Sequence, residues 1–399
     1  MHKYDIILIA DEPWEHFTWR RRHYIARAIA KNNRVLFIEP PLAVFYPIKH
    51  KHIKWAHVMN IGRLKCRGRN LYSYTPFKLF PASILIMNRI DLDEINKKFI
   101  FASLRKVAKK LKFTNPVLVV NYSGFQYDYY GLFGESITVA DWYDKFTAPT
   151  WDNVPTEYTN CIKKKQDVIL KNADIVFAVS RILCDDLKHF HKCVHYIPNG
   201  VDTEDFDKLN YHVIPEKIKD IKKPRIGFLG MLHYIVDFEL LNFIAHSRPD
   251  WSIVLIGKLN IKVESDKKLF KDLLENKNVC YLGIIEKAGI PAYLDALDVC
   301  IAPMKKIEMN KYADPLKLWE YLASGRPIVA VDQGAEYECD GYIKKADTKE
   351  GFVLAIEEAM READSSLIAE RKEFARANSW SSRADEMVRI ISEFKDTNR

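Results

Sequence analysis

Short apolar, β-branched runs recur along the chain, separated by segments whose apolar positions repeat at helical spacing. In the first half the runs are Asp5–Ala10, Arg34–Glu39, Val117–Asn121, Ile137–Asp141, Ile175–Ser180 and Val194–Pro198, with helical patterns near 19–31, 93–111, 157–172 and 181–189. In the second half they are Arg225–Gly230, Ser252–Gly257, Val279–Leu282, Val299–Pro303 and Ile328–Val331, with helical patterns near 237–247, 265–276, 289–296, 315–324 and 348–363. Runs that are apolar throughout, rather than alternating, predict parallel strands covered by helices on both faces. Two such sets predict an α/β chain of two Rossmann-like domains, over 1–200 and 201–378. The boundary is marked by the turn signal Pro198-Asn199-Gly200 and a charged Lys/Pro stretch ending at Lys223. Residues 379–399 carry one more amphipathic helix, with Trp380, Met387, Ile390, Ile391 and Phe394 on its apolar face and no strand after it. The pattern leaves open which domain it docks on. Ligands of open parallel sheets bind outside the carboxyl ends of the strands. Two such domains facing across a cleft therefore favour a two-substrate enzyme over a simple binding module.

Composition narrows the picture mainly through charge. The chain has 399 residues, 48% hydrophobic and 29% charged, which excludes wholesale disorder. The net charge of +8 is unevenly spread: residues 1–115 hold 23 Lys/Arg and 8 Asp/Glu, so +15, and the remainder is −7. An uneven balance of this size predicts that the first part faces something anionic. Seven scattered cysteines without a CxxC pair argue against a disulfide framework or a zinc site, and for a reduced, cytosolic compartment. The opening Met-His-Lys-Tyr-Asp lacks the form of a signal peptide. The longest charge-free apolar runs, such as Leu79–Asn88, fall short of the ~20 residues a spanning helix needs, so a membrane would be met from its surface.

The most informative stretch is Lys311-Tyr-Ala-Asp-Pro-Leu-Lys-Leu-Trp-Glu-Tyr-Leu-Ala-Ser-Gly-Arg-Pro-Ile-Val-Ala330. Asp314 suits an N-cap and Pro315 the first helical position, Leu316, Trp319, Leu322 and Ala323 form an apolar stripe, and Gly325 and Pro327 end the helix. Lys317 lies in the first turn with Glu320 one turn on, along one face. The amides of such a helix start attract phosphate, and a lysine adds a point charge there. A carboxylate one turn later suits a ribose diol. An ordinary surface ion pair would show the same spacing.

This stretch resembles the donor-binding signature of GT-B fold glycosyltransferases. The strand and loop Arg225-Ile-Gly-Phe-Leu-Gly230, then Ile256-Gly257, Tyr281-Leu-Gly283 and Tyr293–Pro303, follow the order of that family. Pro198-Asn-Gly-Val-Asp202 resembles its interdomain motif. The likeness covers about residues 195–335 well and the N-terminal half weakly. It implies a GT-B fold, with Glu320 as the ribose-binding glutamate of a Glu-x7-Glu pair whose first position is Tyr312 here. The Tyr-x-Asp-Pro-Leu-Lys-Leu form is similar to a bacterial subset of teichuronic-acid-type and xanthan glucuronosyltransferase-type enzymes, in which the lysine, Lys317 here, contacts the donor phosphates. Gly230 and His233 would lie at the turn that approaches the donor. The family relies on no carboxylate-bound metal, so no cofactor or metal is expected beyond the nucleotide-sugar. Asp91-Leu-Asp93 reads as helix capping.

Transfer to a hydroxyl in an inverting reaction needs a general base on the acceptor side. Asp141 and Asp144 follow an apolar strand, at the edge where a cleft would open, and are the candidates. Arg20, Arg21 and Arg22, in the run Glu15–His23, read as an anion pocket or, more simply, a solvated helix start. Residues 40–90 hold nine Lys/Arg and no Asp or Glu, interleaved with aromatics. Cations among aromatics suit an anionic lipid surface or single-stranded nucleic acid. The resemblance favours the lipid surface, with Lys49, Lys51, Lys54, Arg63, Lys65, Arg67 and Arg69 as the acceptor- or membrane-facing residues.

Together these readings predict a glycosyltransferase using a nucleotide-sugar, most simply a UDP-sugar, and a lipid-linked or glycan acceptor at the cytoplasmic face of the membrane, with no nucleic acid. The alternatives are a GT-B sugar-nucleotide epimerase, which needs no lipid-facing patch, and a non-catalytic nucleic-acid-binding protein, which leaves Lys317 and Glu320 without a role.

Overall fold

A computed structural model of the chain describes residues 3–16, 19–43, 59–80, 92–121, 128–147, 156–208, 214–362 and 365–398. Its strands are β1 (Asp5–Ile9), β2 (Arg34–Ile38), β3 (Leu42–Ala43), β4 (Leu64–Gly68), β5 (Leu71–Tyr74), β6 (Phe77–Lys78), β7 (Val117–Asn121), β8 (Ile137–Trp142), β9 (Ile175–Ala178), β10 (Val194–Tyr196), β11 (Arg225–Leu229), β12 (Ser252–Ile256), β13 (Val279–Gly283), β14 (Val299–Ala302), β15 (Ile328–Val331) and β16 (Ile343–Ala346). The N-terminal sheet runs β10-β9-β8-β7-β1-β2-β5-β4 and the C-terminal sheet β13-β12-β11-β14-β15-β16. Within them β4 pairs antiparallel to β5, and every other pair is parallel. The order of the first sheet reverses between β1 and β7, and that of the second between β11 and β14. These are the points where crevices open at the strands' carboxyl ends.

Central strands such as β1, β7, β11 and β12 are buried along their whole length, because helices cover both faces. On one face of the N-terminal sheet the Arg21–Ile29 helix packs through Tyr24, Ile25 and Ala26. On the other the Leu92–Lys110 helix packs through Ile100, Leu104 and Val107.

The Trp380–Thr397 helix crosses back from the C-terminal half. Trp380, Ala384, Met387, Ile390 and Ile391 join the core beside the Arg21–Ile29 helix, and Trp380 stacks on Tyr24 at 5.0 Å between ring centres. The six described cysteines, Cys66, Cys184, Cys193, Cys280, Cys300 and Cys339, are free.

Two local expectations are corrected. Arg21 and Arg22 are not a solvated helix start: they are 3% and 1% exposed. Arg21 grips Asp141 at 2.9–3.0 Å, and Arg22 grips Asp11 at 2.7 Å and Glu12 at 2.6 Å. Nor does Asp314 cap the Leu316–Ser324 helix, whose N-cap is Pro315 with no side-chain hydrogen bond. Gly325 does end that helix, in the left-handed conformation at φ 77°.

Candidate active site

The sheets' carboxyl edges face each other across a cleft of about 600 Å³, a volume ordinary for small-molecule sites. Its C-terminal wall begins at the β11 turn. Gly230 has φ +146°, and a Cβ there would lie 3.2 Å from Lys317 Cε. Gly257, after β12, approaches so closely that a Cβ would lie 1.8 Å from the Gly230 carbonyl oxygen. Only glycines let these turns stack, and their bare backbone forms the cleft floor.

Lys317 and Glu320 both line this wall. The Lys317 ammonium sits 4.6 Å from the centre of the Phe228 ring and 3.3 Å from Met304 Sδ. Burial pulls it down to about 8, and nearby Glu320 opposes that shift. Burial pushes the Glu320 carboxyl up to about 7, against the pull of Lys287 and Lys317. Leu316 and Lys317 open the helix at the cleft with its start uncapped by any side chain, so its first amides remain available to an anion.

Asp314 has another task. Its carboxylate accepts from the Asn199 amide at 2.6 Å and from Trp319 Nε1 at 3.0 Å. Arg21 holds the Pro198 carbonyl at 3.0 Å, and Arg383 holds the Asn199 carbonyl at 3.1 Å. The Pro198-Asn199 crossing between the domains is therefore gripped from both sides.

The two aspartates at the carboxyl end of β8, Asp141 within it and Asp144 just after it, part company. Asp141 is 1% exposed, spent on Arg21 and on the Asn121 amide at 2.9 Å, and it lies behind the cleft wall. Asp144 lines the cleft, and burial pushes its carboxyl up to about 6, opposed by the Lys145 amide and by Arg20.

Tyr312 does not join the wall of Lys317 and Glu320. Its hydroxyl accepts from Lys145 Nζ at 2.7 Å, its carbonyl accepts from the Ser180 hydroxyl at 2.7 Å, and its ring packs on the N-terminal core. Tyr312 bridges the domains instead. His233 lies beside the cleft, edge-on to Tyr234, and burial with Lys317 and Arg20 nearby lowers it to about 4. It is neutral at physiological pH.

Of the basic residues, Lys49, Lys51 and Lys54 lie outside the described residues, as does Asp91. Arg67 is spent on Glu15 and Ser73, both at 2.8 Å, and Lys65 lies 3.9 Å from Glu15. Arg63 and Arg69 are exposed beside β4, the edge strand of the sheet.

The sequence reading missed a cross-cleft cluster. Lys287 reaches from the C-terminal domain to within 4.4 Å of the Tyr24 ring centre and 3.4 Å of Asp202, which also pairs with Arg27. Asp202 ends the Pro-Asn-Gly-Val-Asp motif, which was the available signal. Nothing in the pattern tied Lys287 to an aromatic more than 260 residues away. Among the described residues no group of three or more His, Cys, Asp or Glu could hold a metal ion.

The two facing α/β sheets have the GT-B fold. Sucrose-phosphate synthase from Thermosynechococcus elongatus matches with a TM-score of 0.67 at 14% identity, over 99% of this chain and 100% of that one. An E. coli trehalose-6-phosphate structure bound with UDP-2-fluoro glucose matches at 0.65 and 12% identity, over 98% and 99%. HepE from Anabaena, in complex with UDP and glucose, matches at 0.62 and 12%, over 98% and 100%. Residues 223–362 match the family model of glycosyl transferases group 1. TuaH of Bacillus subtilis (strain 168), named as a teichuronic acid biosynthesis glycosyltransferase, is 25% identical over 239 residues, covering 57% of this chain. The match spans 59% of that relative's own length.

Proposed function

We propose that the protein transfers a sugar from a nucleotide-sugar, a UDP-sugar, to a lipid-linked or polysaccharide acceptor at the cytoplasmic face of the membrane. The observation that carries this reading is the Lys317 ammonium beside the bare Gly230 turn, at a helix start with no side-chain cap. Backbone amides and one ammonium there suit the donor diphosphate and would bear its charge as the bond to the sugar breaks. Glu320, one turn on, would take the ribose hydroxyls. With the diphosphate held in this way, the reading calls for no metal and no other cofactor. The UDP complexes of two structural neighbours, and the polymer named for TuaH, support the choice of donor and acceptor.

Asp144, facing the cleft from the other domain, would take the acceptor proton. Asp141 cannot serve while Arg21 and Asn121 hold it. The lipid surface is supported by the outer face of the Leu92–Lys110 helix. Phe99 and Ile95 are 54% and 38% exposed there, among exposed Lys98, Arg105, Lys106 and Lys109. An exposed apolar pair on a helix whose further turns carry cations suits an anionic interface, although Asp93 and Glu94 stand at its start. Among the described residues no helix is long and apolar enough to cross a membrane.

A thermal-shift screen of nucleotide sugars tests the donor reading. A UDP-sugar should raise the melting temperature of the wild type, equally with and without EDTA. Lys317→Ala should lose most of that shift. No shift with any nucleotide would overturn the reading.

A further inference from the structure

A nucleoside diphosphate brings at least two negative charges to its site, and the donor wall meets them with one ammonium and helix amides. The opposite wall carries three consecutive arginines, and their partners separate them. Arg21 is closed in by Asp141, Pro198 and Asn199. Arg22 is closed in by Asp11, Glu12 and the face of Tyr143, 4.6 Å from its ring centre. Arg20 lines the cleft with a side chain 46% exposed, and its Nε lies 3.0 Å from Glu12 Oε1.

Its backbone is anchored, because the Arg20 amide donates to His23 Nδ1 at 3.2 Å at the start of the Arg21–Ile29 helix. Glu12 meanwhile has a second partner: its Oε2 lies 2.6 Å from Arg22 Nη1. Arg20 can therefore leave Glu12 without leaving that partly exposed carboxylate unpaired. The guanidinium is also placed between the two halves of the chemistry. Its charge acts on Asp144 on the acceptor side, and on His233, where the charge of Lys317 acts as well.

We propose that Arg20 moves from Glu12 onto the diphosphate of the bound donor, so that the acceptor domain supplies a second cation to the leaving group. The inference rests on the donor site proposed above. In the transfer, the acceptor oxygen bonds to the anomeric carbon and its proton passes to the Asp144 carboxylate. The bond from that carbon to the diphosphate oxygen breaks, and its electron pair stays on the diphosphate, facing Lys317 and Arg20. A planar guanidinium takes such oxygens two at a time, which a lysine at Arg20 would not reproduce.

Calorimetric titration of UDP and of uridine into the full chain, as wild type, Arg20→Gln and Arg20→Lys, tests this. Arg20→Gln should weaken UDP on the order of tenfold or more, as loss of a charge-assisted contact does, and leave uridine unchanged. Arg20→Lys should recover part of the loss. Equal UDP affinity in wild type and Arg20→Gln would overturn the inference, as would a parallel fall for uridine, which marks a structural role. A wild type that binds UDP in the absence of any Arg20 effect leaves the donor site standing. A wild type that binds no UDP removes both.

Discussion

Burial moves Asp144 up to about 6 and Lys317 down to about 8, so the proposed base and the proposed diphosphate-binding cation are both charged only between those values. The proposed transfer uses Asp144 ionised, so kcat/KM should rise with pH through about 6. It needs Lys317 charged, so kcat/KM should fall above about 8. Glu320, at about 7, adds to the rising limb, because its ionised form is the better acceptor for ribose hydroxyls. Asp144→Asn should lower kcat by ~10²–10⁴-fold and leave a single rising limb near Glu320's value. A pH–rate profile of both forms checks this, and an unchanged kcat would remove Asp144 from the chemistry. Lys317 and Glu320 were legible because helical register alone puts them on one face. Asp141 and Asp144 could not be told apart, because both lie at the end of the same apolar run and only the position of Arg21, 120 residues from Asp141, decides which is occupied. Arginine burial was illegible for the same reason: it depends on carboxylates that sequence spacing does not bring near.

The strand–turn–helix unit after β11 works through what it lacks. At Gly257 an added methyl would lie 1.8 Å from a backbone oxygen that cannot move without moving the Gly230 turn. Gly257→Ala should cost at least ~1–3 kcal/mol of stability. It should also weaken donor binding. Gly334, at φ +67° with open space around it, should cost only the ~1–2 kcal/mol of its left-handed backbone when changed to alanine. Urea denaturation of the two variants compares them directly, and equal losses would refute the steric account. Strands such as β7 and β15 stood out in the sequence as unbroken apolar runs. β4, Leu64–Gly68, did not, because it is a half-exposed edge strand broken by Lys65 and Arg67. β16, Ile343–Ala346, was missed likewise: three of its four positions are only partly buried at the other sheet's edge.

Across the whole molecule, the charge is a statement about orientation. The Leu92–Lys110 helix follows β6 and runs back along the sheet. The Phe80 amide and carbonyl are tied to Asn96 at 2.9 and 3.1 Å, so Ile95 and Phe99 lie toward the end of the sheet where the cleft opens. A lipid surface met there would present its headgroups near the acceptor side. The protein should co-sediment with anionic vesicles at low salt and be released as the Debye length shrinks toward ~3 Å at 1 M. A double change of Ile95 and Phe99 to serine should reduce binding, and no binding to anionic vesicles at low salt would refute this orientation. That the chain forms two parallel α/β sheets was legible from its apolar runs. Where the Trp380–Thr397 helix docks was not, because an amphipathic pattern defines a face but not the surface that covers it.

That helix sets an order of assembly during synthesis. The N-terminal sheet leaves the ribosome first, yet part of the core beside Tyr24 is supplied by Trp380, Met387 and Ile391. The strands Arg225–Ala346 all emerge before that core is complete. A nascent chain halted before Trp380 would hold every strand of the C-terminal sheet, while the N-terminal half still showed a bare apolar stripe. The half translated first is the half that finishes last, and its exposed stripe is what a folding helper would have to cover in the interval.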